Sequence, residues 1–241
     1  MYAQGRRIRA TVPKLPEATG TSGRINNGQL TDFQLLTIGE STVAGVGVRT
    51  HQEGFTGTLA RELATNMARS VTWRVYAKSG ITAERVPDEL LSKVTEPSAD
   101  LIVVGLGAND AFAGYPPSRW RRDMRTIIEQ LRGQFPTTPI AFANMPPIKE
   151  FPAFTPLIKW TIGNLIEWYA AELADLAGEY AKVYFNDEII TFDKWVRYGA
   201  GQRPTADFFS DGVHPSKLTY QTWAVDFNQF LQAQKVLDRH R

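Results

Sequence analysis

Acyl transfer by a hydroxyl group needs a serine, an imidazole to take its proton, and donors for the oxyanion that forms. The 241-residue chain has three histidines and no cysteine. Thiol nucleophiles, disulfides and thiolate metal sites are therefore excluded, and the redox compartment is left undetermined. His240 stands in a ragged C-terminal tail and reads as solvated. His51, ten residues past Ser41 in a glycine-containing loop, reads as a surface residue rather than a base. His214 differs: it lies in Ser210-Asp211-Gly212-Val213-His214-Pro215, just ahead of the last helical pattern. Asp211 can fold back across a tight turn and bond Nδ1–H, which leaves Nε2 to face a serine. Alone, Asp-x-x-His before a helix is as well explained by a cap or a local salt bridge.

Which serine it serves depends on the elements that carry them. From Asp32 onward, short apolar runs alternate with stretches of helical period, as in βα units and a parallel sheet. Strands are expected at Phe33–Ile38, Val71–Ala77, Leu101–Leu106, Pro139–Asn144 and Val183–Phe185. Clean alternation in Val71–Ala77 suits a strand near a sheet edge, and the unbroken run Leu101–Leu106 suits one buried on both faces. Helical stripes are carried by Phe55, Leu59, Leu63 and Met67; by Val86, Leu90, Leu91 and Val94; and by Trp120, Met124, Ile127, Ile128 and Leu131. Two more follow, Ile158–Leu173 and Trp223–Leu231. The economical architecture is a three-layer α/β/α domain over residues 29–241. Its flavodoxin-like, five-stranded parallel sheet has the order 2-1-3-4-5, counted from Phe33–Ile38.

In such sheets ligands bind beyond the carboxyl ends of the strands, where the order reverses. The first strand runs into Gly39-Glu40-Ser41, the second into Ser79-Gly80, and the third into Gly107-Ala108-Asn109-Asp110. A hydroxyl, a carboxamide and a glycine turn are thus expected on one rim. The Ser41 N–H, the Gly80 N–H and the Asn109 side-chain amide are candidate oxyanion donors. A serine after a strand or an asparagine in a turn means little singly. Their coincidence with Asp211 and His214 is what favours chemistry.

With these residues in place the sequence resembles the SGNH hydrolases, the GDSL-type esterases and lipases. That family is recognised by four blocks holding Ser, Gly, Asn and His, which here read Ile38-Gly39-Glu40-Ser41, Ser79-Gly80, Gly107-Ala108-Asn109-Asp110 and Asp211-Gly212-Val213-His214-Pro215. The resemblance implies a serine ester hydrolase with Ser41 as nucleophile, His214 as base oriented by Asp211, and Gly80 and Asn109 in the oxyanion hole. It implies no metal and no other cofactor. One departure is visible: the family's Gly-Asp-Ser is Gly-Glu-Ser here, so the carboxylate of Glu40 is extended by a methylene.

The substrate is expected to be a small ester with a short acyl group. Glu40, Met145, Pro146, Phe151, Phe154 and Trp160 are candidate walls of the cleft, with a further wall or lid from Thr191–Phe209, which holds Trp195, Tyr198, Phe208 and Phe209. The same rings could instead fill the core. The same triad would also serve a lysophospholipase, a thioesterase, a carbohydrate acetylesterase or an acyltransferase. A nucleotide-binding module fails on detail, because Gly45-Val46-Gly47 lacks a P-loop ending and Thr50 stands where a dinucleotide fingerprint has glycine. An inactive binding protein on this fold is the remaining rival.

A net charge of +2 gives no bulk field for nucleic acid. The basic stretch Ser118–Arg125 is read as the solvated face of an amphipathic helix. No apolar run is long enough to span a bilayer, and the opening residues lack a signal-like apolar core. The basic segment 1–28 is read as an extended arm, with the juxtamembrane remainder of a removed anchor or peripheral contact to anionic lipid as alternatives. Cytoplasmic location is favoured, and oligomeric state is not legible.

Overall fold

The computed structural model describes residues 15–28, 32–195 and 203–237. Its strands are β1 (Ser22–Ile25), β2 (Phe33–Gly39), β3 (Val71–Ala77), β4 (Leu101–Gly105), β5 (Ile140–Phe142) and β6 (Val183–Phe185). The helices are α1 (Phe55–Met67), α2 (Val86–Glu89), α3 (Ala108–Ala113), α4 (Pro117–Gln134), α5 (Pro156–Gly178), α6 (Phe192–Trp195) and α7 (Lys217–Ala233). The sheet has the order β1-β3-β2-β4-β5-β6. Strands β2 to β6 are parallel and carry the expected 2-1-3-4-5 arrangement.

Two expectations are corrected. The sheet is mixed, with six strands, because β1 pairs antiparallel with β3. Part of the presumed arm is therefore sheet, and Val71–Ala77 is second from the edge. Its pairing is allowed by Gly23, whose backbone lies on the Trp73 ring; a Cβ there would sit 2.4 Å from Cζ2. The second correction concerns Val86, Leu90, Leu91 and Val94. All four are buried, but Val86 lies on the single turn α2, Leu91 on the 3-10 turn that follows, and Leu90 and Val94 just past the ends of each, not on one helix. Pro87 sets the start of that turn, and Pro97 turns the chain away from helix soon after.

Alternation along β2 sorts its side chains into two cores. Phe33 and Leu35 face α1 and α7, while Leu36 and Ile38 face the layer of α4 and α5. Strand β4 does the same with Leu101 and Val103 against Ile102 and Val104. On α4, Trp120 and Met124 are fully buried. Its arginines face outward and pair with acids: Arg119 with Glu84, Arg121 with Glu172 and Glu179, and Arg125 with Glu179. Among the described residues no helix is long and apolar enough to cross a membrane.

Close backbone approach fixes the end of β2. A Cβ on Gly39 would lie 2.3 Å from Gly105 O and 2.5 Å from Val43 Cγ2. The carbonyl is held in the strand ladder, so relief must come from the backbone. Gly39→Ala is expected to cost about 3 kcal/mol as an overpacked site, lowering Tm by roughly 10 °C. A thermal melt matching wild type would show that the two strands are not this tightly apposed.

Candidate active site

Gly39 pairs with Ala77 on one side and Gly105 on the other. The three following loops therefore leave the sheet at the same level, which brings Ser41, Gly80 and Asn109 to one rim. Ser41 enters a tight turn in which the Ala44 N–H donates to Glu40 O at 2.8 Å and the Val46 N–H to Ser41 O at 3.1 Å. Gly80 has φ +80, the left-handed region, with open space where a side chain would stand. Among the described residues, neither the Ser41 nor the Gly80 N–H donates a hydrogen bond. Both are unengaged donors at the rim.

The aspartate and histidine meet as the spacing predicts. Asp211 Oδ2 lies 2.7 Å from His214 Nδ1. Its Oδ1 accepts from the Val213 N–H at 2.9 Å and from the His214 N–H at 2.7 Å. Burial pushes the Asp211 carboxyl up, but these donors together outweigh it and hold it below the ordinary aspartate range. The carboxylate is thus ionised, and its geometry assigns the proton of the ring to Nδ1.

The histidine loop packs on the serine loop. Gly47 (φ +106) lies so close to Pro215 and Ser210 that a Cβ there would be 2.4 Å from Pro215 O. Tyr220, buried on α7, donates from its hydroxyl to Val46 O at 2.8 Å. Among the described residues no hydrogen bond joins Ser41 Oγ to the His214 ring. Such bonds are often long in ligand-free enzymes and tighten when substrate binds.

Asn109 is more constrained than expected. Its side-chain Nδ2 donates both to Glu40 Oε2 and to Ile81 O, the latter at 3.0 Å. Glu40 also accepts from the Ala108 N–H at 2.9 Å and the Asn109 N–H at 3.0 Å, at the first turn of α3. Burial lifts the Glu40 carboxyl to about 7, against the pull of the Asn109 and Ala108 donors. Its neighbour Asp110 is also lifted to about 7 by burial, opposed by the Ala83 N–H that it accepts with both oxygens.

The expected walls divide. Met145 and Pro146 line a cavity of about 170 Å³ with Pro147, Gly163, Ile166 and Ile189. Phe151 and Phe154 are buried and stack on each other, with centroids 5.3 Å apart. Phe151 also meets Phe209 edge-on at 4.9 Å, and Phe154 meets Phe112 of α3 at 5.4 Å. This row of rings joins the asparagine loop to the chain before the histidine. Trp160 is not a wall, since it is 67% exposed on α5. Phe208 belongs to the core under α7. Tyr198, His240 and the side chain of Trp195 lie outside the described residues. His51 is corrected from surface to buried, and burial pushes its imidazole down to about 4.

Two contacts escaped the sequence reading. One is the Tyr220 strut, and the other is Glu17, whose carboxylate accepts from the Ser79 N–H beside Gly80. A lone tyrosine inside a helical stripe and a lone acid in a basic segment give no signal of either.

The model of the GDSL-like lipase/acylhydrolase family matches residues 37–222. The chain belongs to this family. Membership makes it a carboxylic ester hydrolase by class, and the match spans all four blocks. No curated protein sequence matches. Among solved structures, this GDSL-like chain resembles the lipase Lip_vut3 from a goat rumen metagenome, with TM-score 0.59 and 18% identity, over 82% of this chain and 96% of that one. It also resembles the esterase EstA of Pseudoalteromonas sp., crystallised with monoethylphosphonate, at TM-score 0.56 and 17% identity over 86% and 100%. A third is a mutant of Axe2, an acetyl-xylooligosaccharide esterase from Geobacillus, at TM-score 0.56 and 15% identity over 82% and 93%. At these identities the likeness is one of fold.

Proposed function

We propose that this protein hydrolyses small carboxylic esters with short acyl groups through an acyl-enzyme on Ser41. The observation that carries the reading is the Asp211–His214 pair at 2.7 Å, seated on a loop that packs against the Ser41 turn. With Nδ1–H held by Asp211, Nε2 takes the proton of Ser41 Oγ as the oxygen attacks the ester carbonyl. The tetrahedral oxyanion is received by the Ser41 and Gly80 N–H groups and by Asn109. Collapse breaks the bond to the alcohol, which leaves with the proton from His214. Water then attacks the acyl-enzyme by the same proton route and releases the acid. No metal or cofactor enters these steps.

The short-acyl reading is supported by the ring row Phe112–Phe154–Phe151–Phe209, which packs between two of the loops that bear the proposed site. A p-nitrophenyl ester series from acetate to decanoate tests it. Turnover is expected to be greatest at acetate or butyrate and to fall steeply beyond hexanoate. A maximum at decanoate would overturn the short-acyl assignment, and product formed with an added alcohol in place of water would move the protein to acyl transfer.

A further inference from the structure

Glu40 takes no step in that scheme, yet it grips the residue on which one oxyanion donor depends. It is 4% exposed and accepts three hydrogen bonds, from the Ala108 N–H, the Asn109 N–H and the Asn109 side-chain amide. The second amide hydrogen goes to Ile81 O. A primary amide has only two N–H bonds, so the side chain is fully engaged. Turning it over would set Oδ1 against the carboxylate and a carbonyl, so its neighbours fix which way it faces. As it stands, Asn109 has no donor left for a substrate.

The two acceptors are unequal. Once ionised, above its raised pKa of about 7, Glu40 makes a charge-assisted bond about twice as strong as one to a neutral carbonyl. When negative charge builds on the substrate oxygen, that oxygen competes better against Ile81 O than against Glu40. We propose that Glu40 is the positioning residue of the oxyanion hole, holding one N–H of Asn109 as a pivot while the other is transferred from Ile81 O to the oxyanion. Ile81 follows Gly80, so the carbonyl released belongs to the loop that supplies a second donor. The carboxylate also caps the first turn of α3, which sets the backbone of Asn109 while its amide moves. This proposal rests on the reading of Ser41 as nucleophile and deepens it.

The test compares Glu40→Gln and Glu40→Asp, each with and without Asn109→Ala, by kcat, KM and labelling with an organophosphonate. In glutamine one carboxylate oxygen becomes an NH2 that opposes N–H donors, so kcat should fall about 10²-fold, the loss typical of one oxyanion donor. KM should stay within about threefold, because the ground-state ester does not call on the pivot. Aspartate keeps the charge and should hold kcat within about tenfold of wild type. In the Asn109→Ala background, exchanging Glu40 for Gln should change kcat no further. Wild-type kcat in Glu40→Gln would overturn the pivot, and so would equal losses on Glu40→Gln in both backgrounds. If the glutamine variant does not fold, a loss beyond tenfold in Glu40→Asp that persists undiminished in the Asn109→Ala background overturns it. Wild-type enzyme that resists the phosphonate at Ser41 would defeat the underlying reading instead, whatever the Glu40 variants do.

Discussion

Ser41→Ala is expected to lower ester turnover on the order of 10⁶-fold, the scale of removing a serine nucleophile from a working triad. Apart from loss of His214, no other change on this rim should approach it. Ser41 occupies the start of a tight turn that is held by backbone bonds from Ala44 and Val46 and by Tyr220 on Val46 O. None of those contacts uses the hydroxyl, so the alanine variant should melt within about 1 °C of wild type, as truncation of a half-buried hydroxyl outside any of those bonds does. The paired measurement is covalent: an organophosphonate should add one adduct to wild type at Ser41 and none to the variant. Turnover surviving in Ser41→Ala after purification to constant specific activity would reject the nucleophile.

The next largest effect belongs to Asp211→Asn, about 10⁴-fold in kcat. Two backbone N–H groups, of Val213 and His214, point at Oδ1, while Oδ2 faces the ring. An asparagine there must turn its oxygen to the two backbone donors, which leaves its NH2 against Nδ1. The imidazole is then forced to accept at Nδ1 and to carry its proton on Nε2, the nitrogen meant to receive the proton of Ser41. The fold should tolerate the exchange, because both backbone bonds survive. Phosphonate labelling should slow in parallel with turnover, since both begin with the same proton transfer. A variant within tenfold of wild type would mean that some other group sets the tautomer.

The Asp211–His214 contact was more legible in the sequence than the framework around it. Asp211 and His214 are three residues apart, so their meeting is a local matter that a turn decides. The expectation that Ser41, Gly80 and Asn109 share a rim follows from parallel strands ending at a common edge, and Gly39 is in register with Ala77 and Gly105. Strand β1 was missed for a physical reason: Ser22-Gly23-Arg24-Ile25 contains one apolar residue, and its pairing depends on a glycine lying flat on Trp73. Pattern reading has no access to such a contact. The engagement of Asn109 was equally hidden, since it depends on how far the longer Glu40 side chain reaches across a gap of 69 positions.

The Tyr220 bond to Val46 O spans 174 positions. During synthesis the turn bearing Ser41 leaves the ribosome long before α7 exists to brace it. Strands β2 to β4 have by then a complete set of sheet partners among residues already made. Contacts this remote in sequence close late, after the loop entropy between them has been met. A nascent chain halted before α7 would carry a nearly finished sheet with the Ser41 turn still unbraced.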